Sequence, residues 1–194
     1  MKKLLLFVSL LGLTVSAQTI QKKDGSKVDV SGGTIHVEPG NKRLTYFLKD
    51  SKKAAHIKFK NFDQATWDDF IFKTFVIDGK TKGYYVVAES EGKTLASSKR
   101  TRIKSRGGFE STYNLYQVAV LDQQNKVIEE LIFTDENTDK KSAERAAVLP
   151  LIKKHFAGCP KLIERASAFE SPSGETKNRT ILVFLDTPTY VKCQ

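Results

Sequence analysis

From Thr34 to Lys60 apolar and polar positions alternate with a period of two, which places every second side chain on one face of an extended strand. Three short strands follow from this: Thr34 to Glu38 with Ile35 and Val37 inward, Leu44 to Leu48 carrying Tyr46 and Phe47, and Ala55 to Phe59 with Ile57 at its centre. His56, Lys58 and Lys60 fall on the opposite, wet face of the last one. Pro39-Gly40-Asn41 and Asp50 to Lys53 supply the turns. Residues 18–33 read as turns around one edge strand at Val28 to Val30, so the first part of the chain is expected to form an antiparallel meander, open or closed into a small barrel.

Asn61 to Asp69 interrupts the alternation and predicts a loop or a single helical turn. Denser runs come next. Phe70 to Ile77 and Gly83 to Glu89 flank Asp78-Gly79, a hairpin signal, and Glu91-Gly92 leads into a strand from Lys93 to Ile103. Beyond Gly107-Gly108, Thr112 to Leu121 and Lys126 to Thr134 predict a second hairpin joined by residues 122–125.

At Asp139 the pattern changes to a helical one. Ala143, Ala147 and Leu151 share one side, while Val148, Ile152 and Phe156 lie roughly opposite, so the second half should be covered on both sides. Pro150 cannot donate to Ala146 and must kink or restart the helix, and Gly158 is placed to end it. Cys159-Pro160 opens a short second helix through Leu162, Ile163 and Ala166. Residues 170–179 read as an exposed loop and Thr180 to Leu185 as a last strand, with Pro188 keeping the C-terminal residues from pairing centrally. The expected fold class is α+β, mainly antiparallel β, with a meander or small barrel, hairpins, a kinked C-terminal helix and one disulfide.

The N-terminus changes the picture by setting a compartment. Lys2 and Lys3, the apolar Leu4 to Val15 and the small-residue site Val15-Ser16-Ala17 have the form of a cleaved export signal over residues 1–17. That run is too short to remain as a membrane span, and no later stretch is apolar enough for one. Residues 18–194 are expected to be one mostly-β domain, with a sub-boundary near 61–69 between an N-terminal meander, 18–60, and a larger α+β part, 70–194. In a periplasmic or secreted chain the two cysteines, Cys159 and Cys193, have one intramolecular choice and should be bridged. A zinc site of both thiols and His155 is the weaker alternative.

The formal charge of +10 falls to +8 without Lys2 and Lys3. Its sharpest expression is Arg100, Arg102, Lys104 and Arg106, basic residues at every second position and so on one face of an extended segment, with Lys99 at its start. Such a stripe suits an anionic glycan, a lipid headgroup or an acidic envelope protein. It also suits a solvated strand that discourages edge pairing. The neighbours Thr101, Ile103 and Ser105 include no aromatic ring and argue against nucleic acid, which asks for such rings among the charges.

Catalytic signals are thin. No nucleophile elbow or phosphate-cradling loop is present, and no cofactor is expected. Asp68-Asp69 and Glu129-Glu130 would point to opposite faces of a strand. Asn178-Arg179-Thr180 matches a glycosylation acceptor by chance spacing. The expected function is a non-enzymatic envelope or secreted protein that binds an anionic partner through the stripe or serves a structural role. The alternative is a hydrolase of cell-wall or extracellular polymer using His36, His56 and Asp68 as an acid/base site. A partner-binding inhibitor or chaperone subunit would show an exposed apolar patch instead.

Overall fold

A computed structural model describes residues 18–170 and 177–193, with the side chain of Arg106 excepted. The expected export segment and the centre of the expected 170–179 loop lie outside the described residues. The described residues form a nine-stranded sheet, a separate three-stranded sheet and four short helices. The first hairpin, β1 (Thr19–Lys22) and β2 (Lys27–Asp29), joins the large sheet rather than the meander. β3 (Thr34–Glu38), β4 (Arg43–Phe47) and β5 (Ala55–Lys58) pair consecutively as the small sheet.

A short 3-10 turn at Phe59–Asn61 then leads to β6 (Phe62–Trp67), where a loop or helical turn is expected from the sequence. Phe62 and Ala65 are buried in a strand held between β1 and β7 (Phe70–Ile77), so neighbouring strands override a segment of weak local preference. Antiparallel pairing continues through β8 (Lys80–Ser90), β9 (Lys93–Arg106), β10 (Phe109–Leu121) and β11 (Val127–Thr134). The turns are those the residue types demand. Asp78 and Gly79, at φ 52° and 69°, and Glu91 and Gly92, at 50° and 72°, hold the left-handed conformations of tight two-residue hairpins.

α1 (Asp139–Ala146) starts at Thr138, whose hydroxyl accepts from the Lys141 amide. α2 (Val148–His155) restarts after Ala147 with a bend of 17°, and Pro150 sits in its first turn, where its missing donor costs little. Leu149, Leu151, Ile152 and Phe156 are all buried, so α2 is covered on both sides as expected. Ala143 is exposed, however, and the residue that α1 buries is Arg145. α3 (Pro160–Ser167) follows at the expected place.

Thr180–Asp186 is a helix, α4, and not a strand. Ile181, Leu182, Phe184 and Leu185 are buried while Val183 is 52% exposed, a helical rather than an alternating pattern. A short run of apolar residues has no resolvable period, and here packing decides. After Pro188 the two-residue β12 (Val191–Lys192) pairs in parallel with Ala88 and Glu89 of β8, where β7 has already ended. Cys159 and Cys193 are bridged, with 5.0 Å between their Cα atoms, and this removes the thiols that a zinc site with His155 would need.

Register identifies the layers. Ile20, Ala65, Phe72, Tyr85, Ser97 and Val118 succeed one another across strands on one face of the large sheet. The small sheet packs on that face over Ile20, Ala65 and Phe72, and the helices pack on it over Leu95, Val118, Val120 and Phe133. On the other face Phe75 and Ile77 of β7, Tyr84 and Val86 of β8, Ala96 of β9, and Ala119 and Leu121 of β10 form a second buried cluster.

Candidate functional site

Two features stand apart from the cores: a ribbon built by β9 and β10, and a cleft between the two covers of the sheet. β9 pairs with β8 only as far as Ser97, and β10 pairs with β11 only from Leu115 onward. Residues 101–106 and 109–114 therefore pair with each other alone, as a two-stranded ribbon turned by Gly107 and Gly108 at φ 59° and 82°.

Directly opposed residues in such a ladder share a face. Arg100 opposes Leu115, Arg102 opposes Tyr113 and Lys104 opposes Ser111, so these three basic residues keep the common face that their spacing predicts, while the backbone of Arg106 is in register with Phe109. Thr101 hydrogen-bonds Asn114 at 3.0 Å across the other face. Aromatic residues do interleave with the charges, contrary to the expectation from near neighbours, because they come from the partner strand. Phe109 at the tip is 83% exposed and Ile103 on the reverse face 67%. Proximity along the chain could not reveal either pairing.

The four basic residues are not equivalent. Arg102 and Lys104 are exposed, and Lys104 reaches Glu136 only at 3.9 Å. Arg100 is half-buried at the ribbon's root, and its Nε has no hydrogen-bond partner among the described residues. Its charge lies near the buried Tyr84 hydroxyl, whose pKa is pushed up to about 12 chiefly by burial. Lys99 does not extend the stripe. Its ammonium pairs with Asp186 at 2.8 Å on the helix-covered face, and Tyr116 donates to the same carboxylate oxygen at 2.9 Å.

The cleft, about 630 Å³, lies between β3 and the end of α4, and half-buried Trp67, Phe70 and Tyr85 line it with Ser97, Lys99 and Asp186. Asp68 stands beside it in the β6–β7 turn, at φ 46°. His36 is on its rim, whereas His56 borders a different, basic concavity with Lys22, Lys23, Lys58 and Lys60.

His36 and His56 do not meet across adjacent strands. Both are in register with Thr45 of the strand between them, on the outer face of the small sheet. Thr45 lies 2.8 Å from His56 Nδ1 and also donates to Glu38, while Arg43 completes the cluster. Those donors, with Thr45 first, then Asn41 and Arg43, push the Glu38 carboxyl down to about 2. No hydrogen bond or ion pair joins either imidazole to Asp63, Asp68 or Asp69 among the described residues.

Other groups singled out by the sequence have structural roles. His155 lies 2.8 Å from Glu129, which also accepts from Lys154 at 2.7 Å, and these contacts lower the Glu129 pKa. Glu130 accepts from Gln117. Asn178 donates to Ser142, tying α1 to the start of α4. No group of three His, Cys, Asp or Glu residues suited to a metal ion occurs among the described residues, and no helix there is long and apolar enough to cross a membrane. No family model, curated protein or solved structure matches the chain.

Proposed function

We propose that this is an exported, non-enzymatic protein of the cell envelope or its surroundings that holds an anionic partner on the β9–β10 ribbon. The observation that carries the reading is the exposure of Arg102 and Lys104 on a ribbon that packs against no other strand, with Tyr113 and Phe109 on the same face. Charges on such an arm act on a partner through water, and Lys104 has only the long 3.9 Å contact to Glu136 to compete with it. An anionic glycan chain or a layer of lipid headgroups offers the row of negative charge that suits a linear basic face.

The concavity formed by Lys22, Lys23, Lys58 and Lys60 provides an internal control, because it is basic but belongs to a different part of the surface. Arg102→Glu with Lys104→Glu should weaken binding to dextran sulfate by about tenfold or more at low salt, and Lys58→Glu with Lys60→Glu by much less. Titration calorimetry at two salt concentrations makes the comparison. Equal losses would reduce the ribbon to a share of general surface charge.

A further inference from the structure

The cleft meets the ribbon only at its root, where half-buried Arg100 borders both, and the rest of its lining has a different chemistry. Trp67, Phe70 and Tyr85 come from three successive strands and touch one another. The Trp67 and Phe70 rings stack with centroids 5.7 Å apart, and Tyr85 meets each of them edge-on at 6.1 Å. Three rings fixed against each other on a sheet form a rigid apolar surface, already ordered before anything binds. None is fully buried, although each has a sheet and two covering layers beside it that could have enclosed it. The gap between those layers is what leaves them open.

Polar groups stand next to the rings. Lys99 and Tyr116 both converge on one oxygen of Asp186, while the second oxygen receives no hydrogen bond among the described residues. The lysine and the aspartate together contribute no net charge, so this part of the cleft does not select an ion. Ser97 shares the face of Tyr85, directly opposite it in the ladder. It is 3% exposed, and its hydroxyl has no partner among the described residues. A buried hydroxyl left unpaired is uncommon in a folded protein, and this one lies on the cleft floor, two residues from the flexible Lys99 side chain.

We propose that the cleft binds an uncharged oligosaccharide, one ring of which sits on the Trp67, Phe70 and Tyr85 cluster. A sugar ring is apolar over its C–H face and polar around its edge, and it needs an aromatic platform with donors and acceptors at the margin. The Lys99–Asp186 pair supplies a donor and a free acceptor together. Ser97 supplies a further hydroxyl on the cleft floor. A fatty chain would leave these groups unpaired, and a charged ligand would find a neutralised lysine.

Trp67 is the only tryptophan in the chain, so its fluorescence reports directly on the cleft. The full protein is titrated with tetrasaccharides of β-1,4-glucose, β-1,4-N-acetylglucosamine and α-1,4-glucose, and separately with octanoate. At least one tetrasaccharide should produce a saturable change in emission, weakened by about tenfold or more in Phe70→Ala. Gly40→Phe should abolish it. Gly40 lines the cleft, and a Cβ added there meets nothing within 4 Å, so a bulky side chain can be placed at the cleft's edge without a clash at its Cβ. Reversing Arg102 and Lys104 should leave the response unchanged, which separates this site from the ribbon. The proposal is overturned if none of the three sugars alters the emission up to about 10 mM. It is equally overturned if octanoate alone does so, or if the response survives Gly40→Phe.

Discussion

Replacing Arg145 with methionine is expected to destabilise the protein by about 3 kcal/mol, lowering Tm by roughly 6–12 °C for a domain of this size. Arg145 is 1% exposed, the largest fully buried side chain described. Its guanidinium donates to the carbonyls of Thr134 and Glu136 at 2.9 and 3.1 Å, and to that of Lys177 at 2.7 Å from Nη2 and 3.1 Å from Nε. It thereby holds together the end of β11, the loop before α1 and the segment before α4. Burial lowers its pKa, yet the group stays charged, and its fork suits several carbonyls at once. Methionine keeps much of the volume but removes all four of these donor contacts, and of the three carbonyls that of Glu136 still accepts from the Thr138 amide. Arg145→Lys should recover only part of the loss, because a single ammonium cannot reach all three segments. Thermal denaturation of the two variants decides the matter, and a loss under about 1 kcal/mol for methionine would show the segments to be anchored elsewhere.

The second large effect concerns the disulfide. Cys159 is fully buried among the helices, and Cys193 lies just past β12, 34 positions further along the chain. Closing a loop of that length restricts the unfolded chain by roughly 3 to 4 kcal/mol in the chain-entropy account. Cys159→Ala with Cys193→Ala should therefore lower Tm by about 10 °C. The tail should not be released entirely, because Arg165 also donates to the carbonyls of Thr187 and Thr189 at 2.7 Å. Hydrogen exchange should accelerate most at Val191 and Lys192, whose pairing with β8 lies next to the bridge. Equal melting temperatures for the oxidised protein and the double variant would remove the bridge from any stabilising role.

The hairpins are legible in the sequence because their signals are local. Asp78-Gly79 and Glu91-Gly92 announce their own turns, and alternation in the flanking runs gives the strands. Pro150 likewise announces a restart within the helical region. β6 escapes such a reading because Asp63, Gln64 and Thr66 carry little preference of their own and become a strand through β1 and β7. α4 misleads for the converse reason: Ile181 and Val183 favour strands, and only the packing of its neighbours imposes the helix. The division of strands between two sheets depends on long-range partners that periodicity cannot name.

The site divides in the same way. The common face of the basic stripe follows from its spacing alone. Its aromatic companions, Tyr113 and Phe109, become visible only with the register of β10 on β9. The cleft has no signature in the sequence, since Trp67, Tyr85, Ser97 and Asp186 are scattered along it and meet through the topology of the sheet and the position of α4.

The ribbon can be removed while opening little of either face of the sheet, because residues 107–112 and the described side chains of 102–105 are exposed and Tyr113 is only half-buried. Joining Thr101 to Asn114 through Asn-Gly in place of residues 102–113 therefore isolates its contribution. Calorimetric titration of this shortened protein with dextran sulfate, beside the intact one, is the most direct measurement. Melting should change by no more than about 2 °C while affinity at low salt falls by about tenfold or more. Undiminished affinity in a shortened protein that melts normally would contradict the assignment of binding to the ribbon.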